Sequence, residues 1–499
     1  MDRQQLEINT RVFINHVKEN YIPNKPLVFW IDLFCGAGGT STGIHLSNTK
    51  NVFVAACVNH DANAIKSHAE NHPFTLHFTE DIKDFAVVEN LKYLVSVLRK
   101  EFPECKVKIW ASLECTNYSK AKGGQAKDAD SRSLANHMPM YFELEPDSFW
   151  FENVEEFMSW GPMYIPEIKV KPSAKSIAKS SNDYTGEGGL ACRVKFKKDK
   201  KTKEWRTELP WKPISKDKGK YYLQWVNTLK SLGYNYDFKI LNSADYESYQ
   251  SRKRLFIQFP KKGIPFVWPQ ATRSKNGSED SLFPIPKWKA VKEILDLKDE
   301  GESIFTRKKP LSDKTIEVII KGIVKAIEEE EKVFMFKYYG NGDNYNSINN
   351  PSGTVTTKDR FAKIQLIFNQ YKNGSVTKMD RPIGALTTVP KCNLLTFILN
   401  PSHGGHTTSV NRPAPTVIAR QDKAPLYILQ TIMDEYGIVD VKYRLAKIPE
   451  LLQMQGFPKD YKLIGTQTEQ KKYIGNAVEV NMARALATAD YELELKMAA

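Results

Sequence analysis

One cysteine of this chain lies where a nucleophile would be placed. Cys115 belongs to "SLECTNYS", residues 112–119, and it follows the apolar run "CKVKIWA", which predicts a buried strand. The thiolate form of cysteine is a soft nucleophile that adds to weakly electrophilic carbon. A loop or helix cap that carries an incidental thiol would give the same octet. On these residues alone, both interpretations of Cys115 stay open.

Other polar residues also follow apolar runs of strand type. Such runs occur in "PLVFWIDLF", "NVFVAACV", "CKVKIWASLE" and "DSFWFENVEEF", and helix-compatible segments separate them. This alternation predicts a doubly wound, mostly parallel α/β sheet, in which ligands bind beyond the carboxyl ends of the strands. We therefore expect one edge of the sheet to carry Asp32, Asn59, Asp81, Cys115 and Glu152. That convergence favours the interpretation of Cys115 as a site residue.

A glycine turn follows the first strand. In "FCGAGG", residues 34–39, Gly36, Gly38 and Gly39 allow the backbone to approach a ligand at a helix N-terminus. A nicotinamide fingerprint would place a glycine at position 41, where this chain has Ser41, and the chain has no GKS or GKT for a triphosphate. The turn fits an adenosine-type cofactor without phosphates, and tight packing is the alternative.

Composition excludes several classes of protein. The 499 residues are 41% hydrophobic, which is typical of a globular chain, and no apolar run approaches the ~18 residues of a membrane span. The segment "MDRQQLEINT" does not resemble a signal peptide. Six cysteines without a CxxC indicate a reduced, cytoplasmic protein. The net charge of +14 favours a polyanionic partner.

The motifs together carry a family resemblance. In chain order they are "IDLFCGAGG", Cys115 with Ser119 four residues on, "FENV", "QSRKR", "MQGFP" and "IGNAV". This set resembles the DNA cytosine-C5 methyltransferase family over almost the whole chain. The resemblance implies a Rossmann-like catalytic domain that uses S-adenosyl-L-methionine. It also implies methyl transfer to C5 of a cytosine flipped out of double-stranded DNA.

The resemblance implies a role for each catalytic residue. Cys115 would attack C6 of cytosine, and Glu152 in "FENV" would bond to N3 and the amino group of the ring. Arg252 and Arg254 would hold O2 of the base and the loop around the nucleophile, as alternate residues on one face of a strand. Ser119 would contact the DNA.

The resemblance also implies a cofactor site. Phe34 and the three glycines would line the methionine and adenine side, and Asp81 would accept from the adenine amino group. Asn59 stands where the family has a ribose-binding glutamate. Asn476 and Val478 in "IGNAV" would close the pocket from the far end of the chain, which makes the catalytic domain discontinuous.

Three positions depart from the family pattern. The usual Pro-Cys-Gln is Glu114-Cys115-Thr116, Asn59 replaces the glutamate, and Glu479 replaces the proline after "GNAV". A carboxylate beside a thiol raises the thiol pKa and disfavours the nucleophile. A catalytically weak or silent S-adenosylmethionine-binding DNA protein is therefore one alternative. The same chemistry on RNA is another, although a large recognition region favours duplex DNA.

The predicted domains are residues 1–262 (catalytic), 263–443 (target recognition) and 444–499 (a return to the catalytic domain). A basic insertion at about 158–220 is either a solvated segment or a clamp on DNA phosphates. An internal repeat places Thr354, Ala385 and Thr416 at intervals of 31 residues, which predicts one supersecondary unit copied three times. The resemblance assigns these repeats to DNA recognition, with structural filler as the alternative. The loop residues that would reach bases or phosphates are Lys358, Arg360, Lys391 and Arg420.

Four histidines within eighteen residues raise the possibility of a metal: His60, His68, His72 and His77. His68 and His72 have zinc-like spacing, but no neighbouring Cys or paired carboxylate completes a site and Pro73 ends the helix, so no metal is expected. The expected partner is double-stranded DNA, and a cognate restriction endonuclease is a candidate partner. We expect a monomer in the cytoplasm, at the nucleoid and without membrane contact.

Overall fold

A computed structural model gives the fold of the chain. It describes residues 1–47, 50–113, 134–164, 183–185, 191–193, 195–198, 205–208, 212–278, 283–299, 302–303, 308, 333–337, 345–352, 354–355, 361–368, 396–400, 406–409, 427–430 and 438–499. Its eight α-helices within these residues are α1 (Arg3–Asn20), α2 (Gly39–His45), α3 (Ala62–Asn71), α4 (Phe85–Glu101), α5 (Lys220–Ser231), α6 (Ile448–Met454), α7 (Gln467–Asn476) and α8 (Val480–Ala498). Short 3₁₀ helices span Leu134–Leu144, Glu155–Ser159, Ser215–Asp217, Ser243–Asp245 and Val291–Ile294.

A central sheet of seven strands organises the described residues. Its strands are β1 (Val28–Leu33), β2 (Val52–Val58), β3 (Leu76–Phe78), β4 (Lys106–Ser112), β5 (Ser148–Asn153), β6 (Asp237–Asn242) and β7 (Lys253–Pro260). They lie in the order β6-β7-β5-β4-β1-β2-β3. Strands β1 to β5 are parallel, whereas β7 is antiparallel to both β5 and β6. The prediction of a mostly parallel sheet is confirmed.

Both faces of this sheet are covered by helices. All six residues of β1 are buried, and its five apolar side chains alternate between two cores. Phe29 and Ile31 face the core that contains residues of α1, α4 and α5, while Val28 and Trp30 face the core that contains residues of α2 and α8. Alternation of side chains along a strand produces this division. The doubly wound architecture predicted from the sequence is therefore confirmed.

The last helix returns to the first sheet. A Cβ atom added to Gly43 of α2 would lie 2.5 Å from Cβ of Ala483, so α2 and α8 pack closely because position 43 has no side chain. On β4, Lys108 forms buried ion pairs with Asp490 and Glu494 of α8. The division into residues 1–262, 263–443 and 444–499 stays a prediction.

Further strands lie in the middle of the chain. A five-stranded sheet has the order β8-β12-β11-β9-β10 and consists of β8 (Glu302–Ser303), β9 (Val333–Lys337), β10 (Tyr345–Ser347), β11 (Phe361–Phe368) and β12 (Ile438–Leu445). A three-stranded sheet joins His406–Ser409, Thr396–Asn400 and Tyr427–Gln430. Thus β11, Thr396–Asn400 and Tyr427–Gln430 each follow one copy of the repeat. Ala385 and Thr416 lie outside the described residues, and the recognition role stays a prediction.

The predicted insertion contains three short antiparallel pairs. They are Met163–Tyr164 with Lys212–Pro213, Asp183–Thr185 with Ala191–Arg193, and Lys195–Lys198 with Trp205–Glu208. Among the helices in the described part of the chain, none has the length and apolar character required to cross a bilayer.

Candidate active site

The carboxyl ends of the parallel strands form one continuous edge. Leu33 at the end of β1 is in register with Val58 of β2 and with Ala111 of β4. On β4, Ser112 is in register with Glu152 of β5. The strand ends therefore lie side by side, and side chains that follow them share one surface.

The sequence-predicted residues that the structure describes lie along this edge. Asp32 is in β1, Glu152 is in β5, Asn59 follows β2 directly, and Asp81 follows β3 by three residues. The edge predicted from the strand pattern is therefore present for these four residues. Cys115 lies outside the described residues, three positions beyond Ser112, and so do Glu114 and Ser119. The proposed DNA contacts Lys358, Arg360, Lys391 and Arg420 lie outside them too.

Glu152 and Arg254 form an ion pair at this edge. Nε of Arg254 lies 3.2 Å from Oε1 of Glu152, and their side chains are 16% and 9% exposed. Arg254 also donates from a terminal nitrogen to the carbonyl oxygen of Lys253 at 2.7 Å. The ion pair holds the carboxylate in position while leaving it partly accessible from the edge.

Arg252 has different surroundings. It precedes β7, is 5% exposed, and donates from one guanidinium nitrogen to the carbonyl oxygens of Val355 at 3.4 Å and Gly475 at 3.3 Å. Because β7 begins at Lys253, the expectation of two alternate arginines on one strand face is wrong. Arg252 instead contacts the backbone of "IGNAV" and of the segment after residue 350.

Two buried glutamines connect the motifs that lie far apart in the sequence. Oε1 of Gln250 accepts from the backbone N–H of Val355 at 2.9 Å, and its amide nitrogen donates to Oε1 of Gln455 at 2.5 Å. The amide nitrogen of Gln455 donates to the carbonyl oxygen of Ala477 at 2.6 Å. These bonds join "QSRKR", "MQGFP" and "IGNAV". Sequence reasoning identified the motifs but missed these two side chains.

The three glycines of the turn have different roles. Gly36 has φ +54°, and a Cβ added there would meet no atom of the described residues within 4 Å. A Cβ at Gly38 would collide with the hydroxyl of Tyr461, and one at Gly39 with the carbonyl oxygen of Val478. Of these three glycines, Gly36 alone has no close neighbour among the residues that the structure describes. Gly38 and Gly39 are required for the close approach of the C-terminal segment, which the sequence alone did not separate from ligand binding.

The remaining predicted cofactor residues occupy varied environments. Phe34 has a left-handed backbone, φ +60°, which is uncommon for a residue with a side chain. Oδ1 of Asn59 accepts from the backbone N–H of Asp61 at 2.9 Å, and the exposed Asp81 accepts from the N–H of Lys83 at 3.0 Å. Asn476 is the last residue of α7 and is exposed. By contrast, the Val478 side chain belongs to the apolar core, so it does not line an open pocket.

The departure at Glu479 has a structural explanation. Its carboxylate accepts from the backbone N–H of Met482 at 2.8 Å and from the Asn481 amide at 2.9 Å, so it caps the N-terminus of α8. Burial raises the pKa of Glu479 to about 7. The residue therefore ends the "IGNAV" loop and begins the helix that returns to the sheet.

A buried polar cluster behind the glycine turn was missed by sequence reasoning. The Ser41 hydroxyl donates to Oδ2 of Asp32 at 2.7 Å and lies 2.8 Å from Nε2 of His68. The ring of His72 bonds to Thr42 instead, so the pair with i, i+4 spacing does not share one centre. Burial raises the pKa of Asp32 to about 8. Only the folded chain reveals this cluster, because its members come from different elements.

Fold and motifs together define a Rossmann-like methyltransferase fold whose seventh strand is antiparallel. A family model of the C-5 cytosine-specific DNA methylase matches residues 29–161 and 213–491. The chain belongs to this family. The unmatched residues 162–212 fall inside the predicted insertion at about 158–220, so that segment departs from the family pattern.

Individual relatives are more distant. The chain is 27% identical to the Type II methyltransferase M.NgoBI of Neisseria gonorrhoeae over 124 residues, which is 25% of this chain and 35% of that relative. Among solved structures, the Entamoeba histolytica methyltransferase EhMeth is 12% identical with a TM-score of 0.43, covering 93% of this chain and 99% of that one. The S. pombe Dnmt2 methyltransferase is 12% identical with a TM-score of 0.44, covering 94% and 98%.

Proposed function

We propose that this protein is a DNA methyltransferase that modifies C5 of cytosine at a specific sequence, using S-adenosyl-L-methionine. The observation that carries the proposal is the ion pair between Glu152 and Arg254, with Nε and Oε1 3.2 Å apart, at the carboxyl edge of the sheet. Membership of the C-5 cytosine-specific DNA methylase family supports it. Cys115 follows Ser112 by three residues, a length of chain that spans at most about 11 Å, and Ser112 is in register with Glu152.

The chemistry of cytosine requires a nucleophile and a group that stabilises the activated ring. C6 is a poor electrophile until a thiolate adds to it, so the Sγ atom of Cys115 forms a bond to C6 and electron density moves towards C5 and N3. Glu152 accepts from the exocyclic amino group and, when protonated, donates to N3. After C5 has received the methyl group, a base takes the C5 proton, the electron pair of that bond restores the C5–C6 double bond, and Cys115 leaves C6 as a thiolate.

Arg254 both positions Glu152 and supplies a donor to the base. Its Nε is committed to Glu152, and the planar guanidinium can direct a further N–H towards O2 of the ring. Arg252 donates to two backbone carbonyls, so we assign it to holding the motifs together around the site.

The residues at the edge fit a cofactor that contains adenosine. S-adenosyl-L-methionine supplies the methyl group when bound. Open space at Gly36 leaves room for the ligand to approach the backbone, and Phe34 adjoins this turn. The Asn59 amide offers a donor for ribose hydroxyls because its Oδ1 accepts from Asp61, and the exposed Asp81 offers an acceptor for the adenine amino group.

Sequence specificity is proposed to reside in residues 263–443. The catalytic edge handles one flipped base, whereas base-edge contacts to its neighbours need a separate surface. The three repeats supply similar turns with different side chains, and Lys358, Arg360, Lys391 and Arg420 are the proposed contacts. The net charge of +14 supports duplex DNA as the partner.

Bisulfite sequencing of genomic DNA from cells that express the chain tests this function. The wild type should introduce 5-methylcytosine at one motif, and Cys115→Ala should introduce none. Cys105→Ser, at a buried cysteine before β4, should retain the wild-type pattern. Methylation by Cys115→Ala, or no methylated motif with the wild type, contradicts the proposal. Methylcytosine that is found only in the RNA of the same cells would assign the chemistry to RNA.

A further inference from the structure

Two cysteines and two histidines from four parts of the fold meet behind the glycine turn. Cys35 follows β1, Cys57 is in β2, His68 is in α3 and His77 is in β3. The Sγ atoms of both cysteines and a ring nitrogen of His68 all lie within 4.8 Å of one another, and the three residues are buried. Nε2 of His77 lies 2.9 Å from Nδ1 of His68. Two sulfur atoms and one nitrogen atom of His68 therefore lie close together, and the His77 nitrogen lies next to His68.

Hydrogen bonds on the far side of His68 orient its ring. When Asp32 is ionised, Ser41 uses its hydroxyl proton to bond Oδ2 of Asp32 at 2.7 Å, and its oxygen then accepts from Nε2 of His68 at 2.8 Å. This assigns the proton of neutral His68 to Nε2 and leaves the lone pair of Nδ1 directed towards His77. Histidines that bind metals commonly donate their other ring N–H to such a partner.

The facing nitrogens of His68 and His77 allow two arrangements. Either His77 donates one hydrogen bond to His68, or both lone pairs point at a cation. Tetrahedral zinc with bonds of 2.0–2.1 Å to nitrogen holds two nitrogens about 3.3 Å apart, so the observed 2.9 Å requires only a small opening. The adjacent sulfur atoms favour the cation, because buried thiols next to paired imidazoles provide the donor set that zinc prefers.

Charge balance also favours a cation. Two thiolates and two neutral imidazoles balance a divalent ion, so the closed site is neutral in a buried region.

We propose that Cys35, Cys57, His68 and His77 bind one divalent transition-metal ion of the zinc type. With all four positions of the tetrahedron filled by protein, the ion serves structure and not catalysis. It fastens the glycine turn that carries Gly36 to β2, β3 and α3. This site is independent of the nucleophile and of the DNA substrate, so its failure would leave the proposed function intact.

Metal analysis of the full-length wild type gives the first test. Protein purified under reducing conditions should contain about one zinc per chain by elemental mass spectrometry. Replacement with Co²⁺ should produce the thiolate-to-cobalt charge-transfer band and the strong visible absorption of a tetrahedral site. The absence of a thiolate band on Co²⁺ titration, or a disulfide between Cys35 and Cys57 in the reduced preparation, overturns the proposal.

Substitution of single cysteines tests whether the metal ion binds at this cluster. Cys57→Ser should reduce the charge-transfer band, because only the Cys35 thiolate remains. It should also weaken Co²⁺ binding at least ~10-fold, since even the loss of an outer hydrogen bond has an effect of 10–100-fold. Cys105→Ser, another buried cysteine, is the matched control and should bind Co²⁺ as the wild type does. Equal losses in Cys57→Ser and Cys105→Ser contradict the assignment.

Ser41→Ala provides a second variant in case Cys57→Ser does not fold. It retains all four ligands and removes the acceptor for Nε2–H of His68. The charge-transfer band should persist, while Co²⁺ binding weakens about 10–100-fold. Unchanged Co²⁺ affinity in Ser41→Ala contradicts the orientation of His68 on which the proposal depends.

Discussion

Neighbouring strands β4 and β5 each carry a buried charged residue, and the two differ in how their polar atoms are satisfied. Lys108 of β4 is 1% exposed, with Nζ 2.7 Å from both carboxylate oxygens of Asp490 and 2.5 Å from Oε1 of Glu494. Its three N–H groups therefore have three acceptors. Among the residues that the structure describes, Glu152 of β5 has one ion-pair contact, to Arg254 at 3.2 Å, at the carboxyl edge of the sheet.

The difference separates structural charges from charges that are available to a substrate. Lys108 and its partners join the sheet to α8, and all three N–H groups of Lys108 are used in this contact. Glu152 is held in position by one partner and retains acceptor capacity at the edge where the other site residues lie. A buried polar group that lacks some of its hydrogen-bond partners indicates a functional site, because proteins pair such groups elsewhere.

The largest effect on stability is expected for Lys108→Met. Removing the ammonium group leaves Asp490 and Glu494 as buried carboxyl groups without their counter-ion, so the free energy of unfolding should fall by about 3–5 kcal/mol. Denaturant titration measures the change. Lys18→Met is the control because Lys18 pairs with Glu101 at the surface, and it should stay close to the wild type. Equal losses of stability in Lys108→Met and Lys18→Met would contradict the structural role assigned to the buried ion pairs of Lys108.

Glu152→Gln should affect catalysis more than stability. The amide preserves the shape of the side chain but loses the charge and the proton that act on the ring, so the methyl-transfer rate should fall about 10²–10³-fold. Single-turnover assays at saturating S-adenosyl-L-methionine measure this rate. Glu155→Gln, three residues further on at an exposed position, should retain it. A rate near that of the wild type in Glu152→Gln is incompatible with the proposed role.

The stability of Glu479→Gln relative to the wild type should depend on pH. Because the pKa of Glu479 is raised by burial to about 7, the folded protein binds its proton more tightly than the unfolded chain does. Wild-type stability should therefore decline as pH rises from the ordinary value of about 4.5 to about 7, whereas glutamine does not titrate. The stability of the variant relative to the wild type should rise across this window by at most about 3 kcal/mol.

Denaturant titrations between pH 5 and pH 8 measure this difference. Glu492→Gln, at an exposed position of α8, is the matched control and should show no comparable trend. A difference between Glu479→Gln and the wild type that is constant over the whole range would contradict the linkage to Glu479.

The glycine turn offers the smallest expected effects. In Gly36→Ala the added Cβ contacts no described residue, but alanine must adopt the left-handed backbone of this position. The variant should therefore lose about 1 kcal/mol of stability and bind S-adenosyl-L-methionine more weakly. Gly39→Ala collides with the carbonyl of Val478 and should reduce stability by about 1–3 kcal/mol. Calorimetric titration and denaturation measure both quantities. If Gly36→Ala lost more stability than Gly39→Ala, the assignment of Gly36 to ligand binding and of Gly39 to packing would be reversed.

Much of the fold could be predicted from local sequence. Runs such as "NVFVAACV" are apolar on both faces, as buried parallel strands require, and polar residues mark where they end. Because parallel strands bring their carboxyl ends to one edge, the positions of Asp32, Asn59, Asp81 and Glu152 followed from the pattern alone.

Contacts between distant segments could not be predicted from local sequence. Nothing near Cys35 or Cys57 signals that a histidine of α3 lies beside them, and nothing near Gln250 indicates its bond to Gln455. Arg252 and Arg254 have the same residue type and alternate spacing, yet the strand begins between them. Gly36 and Gly39 likewise differ only in what the C-terminal segment places against them.

The central claim is that Cys115 forms a covalent bond with C6 of the target cytosine. Duplex DNA that carries 5-fluorocytosine tests it directly, because fluorine at C5 cannot leave as a proton and the enzyme remains bonded to C6. With S-adenosyl-L-methionine present, the wild type should form a complex that survives denaturing electrophoresis and maps by peptide mass spectrometry to Cys115, and Cys115→Ala should form none. A covalent complex with Cys115→Ala, or none with a wild type that methylates ordinary DNA, would contradict the account.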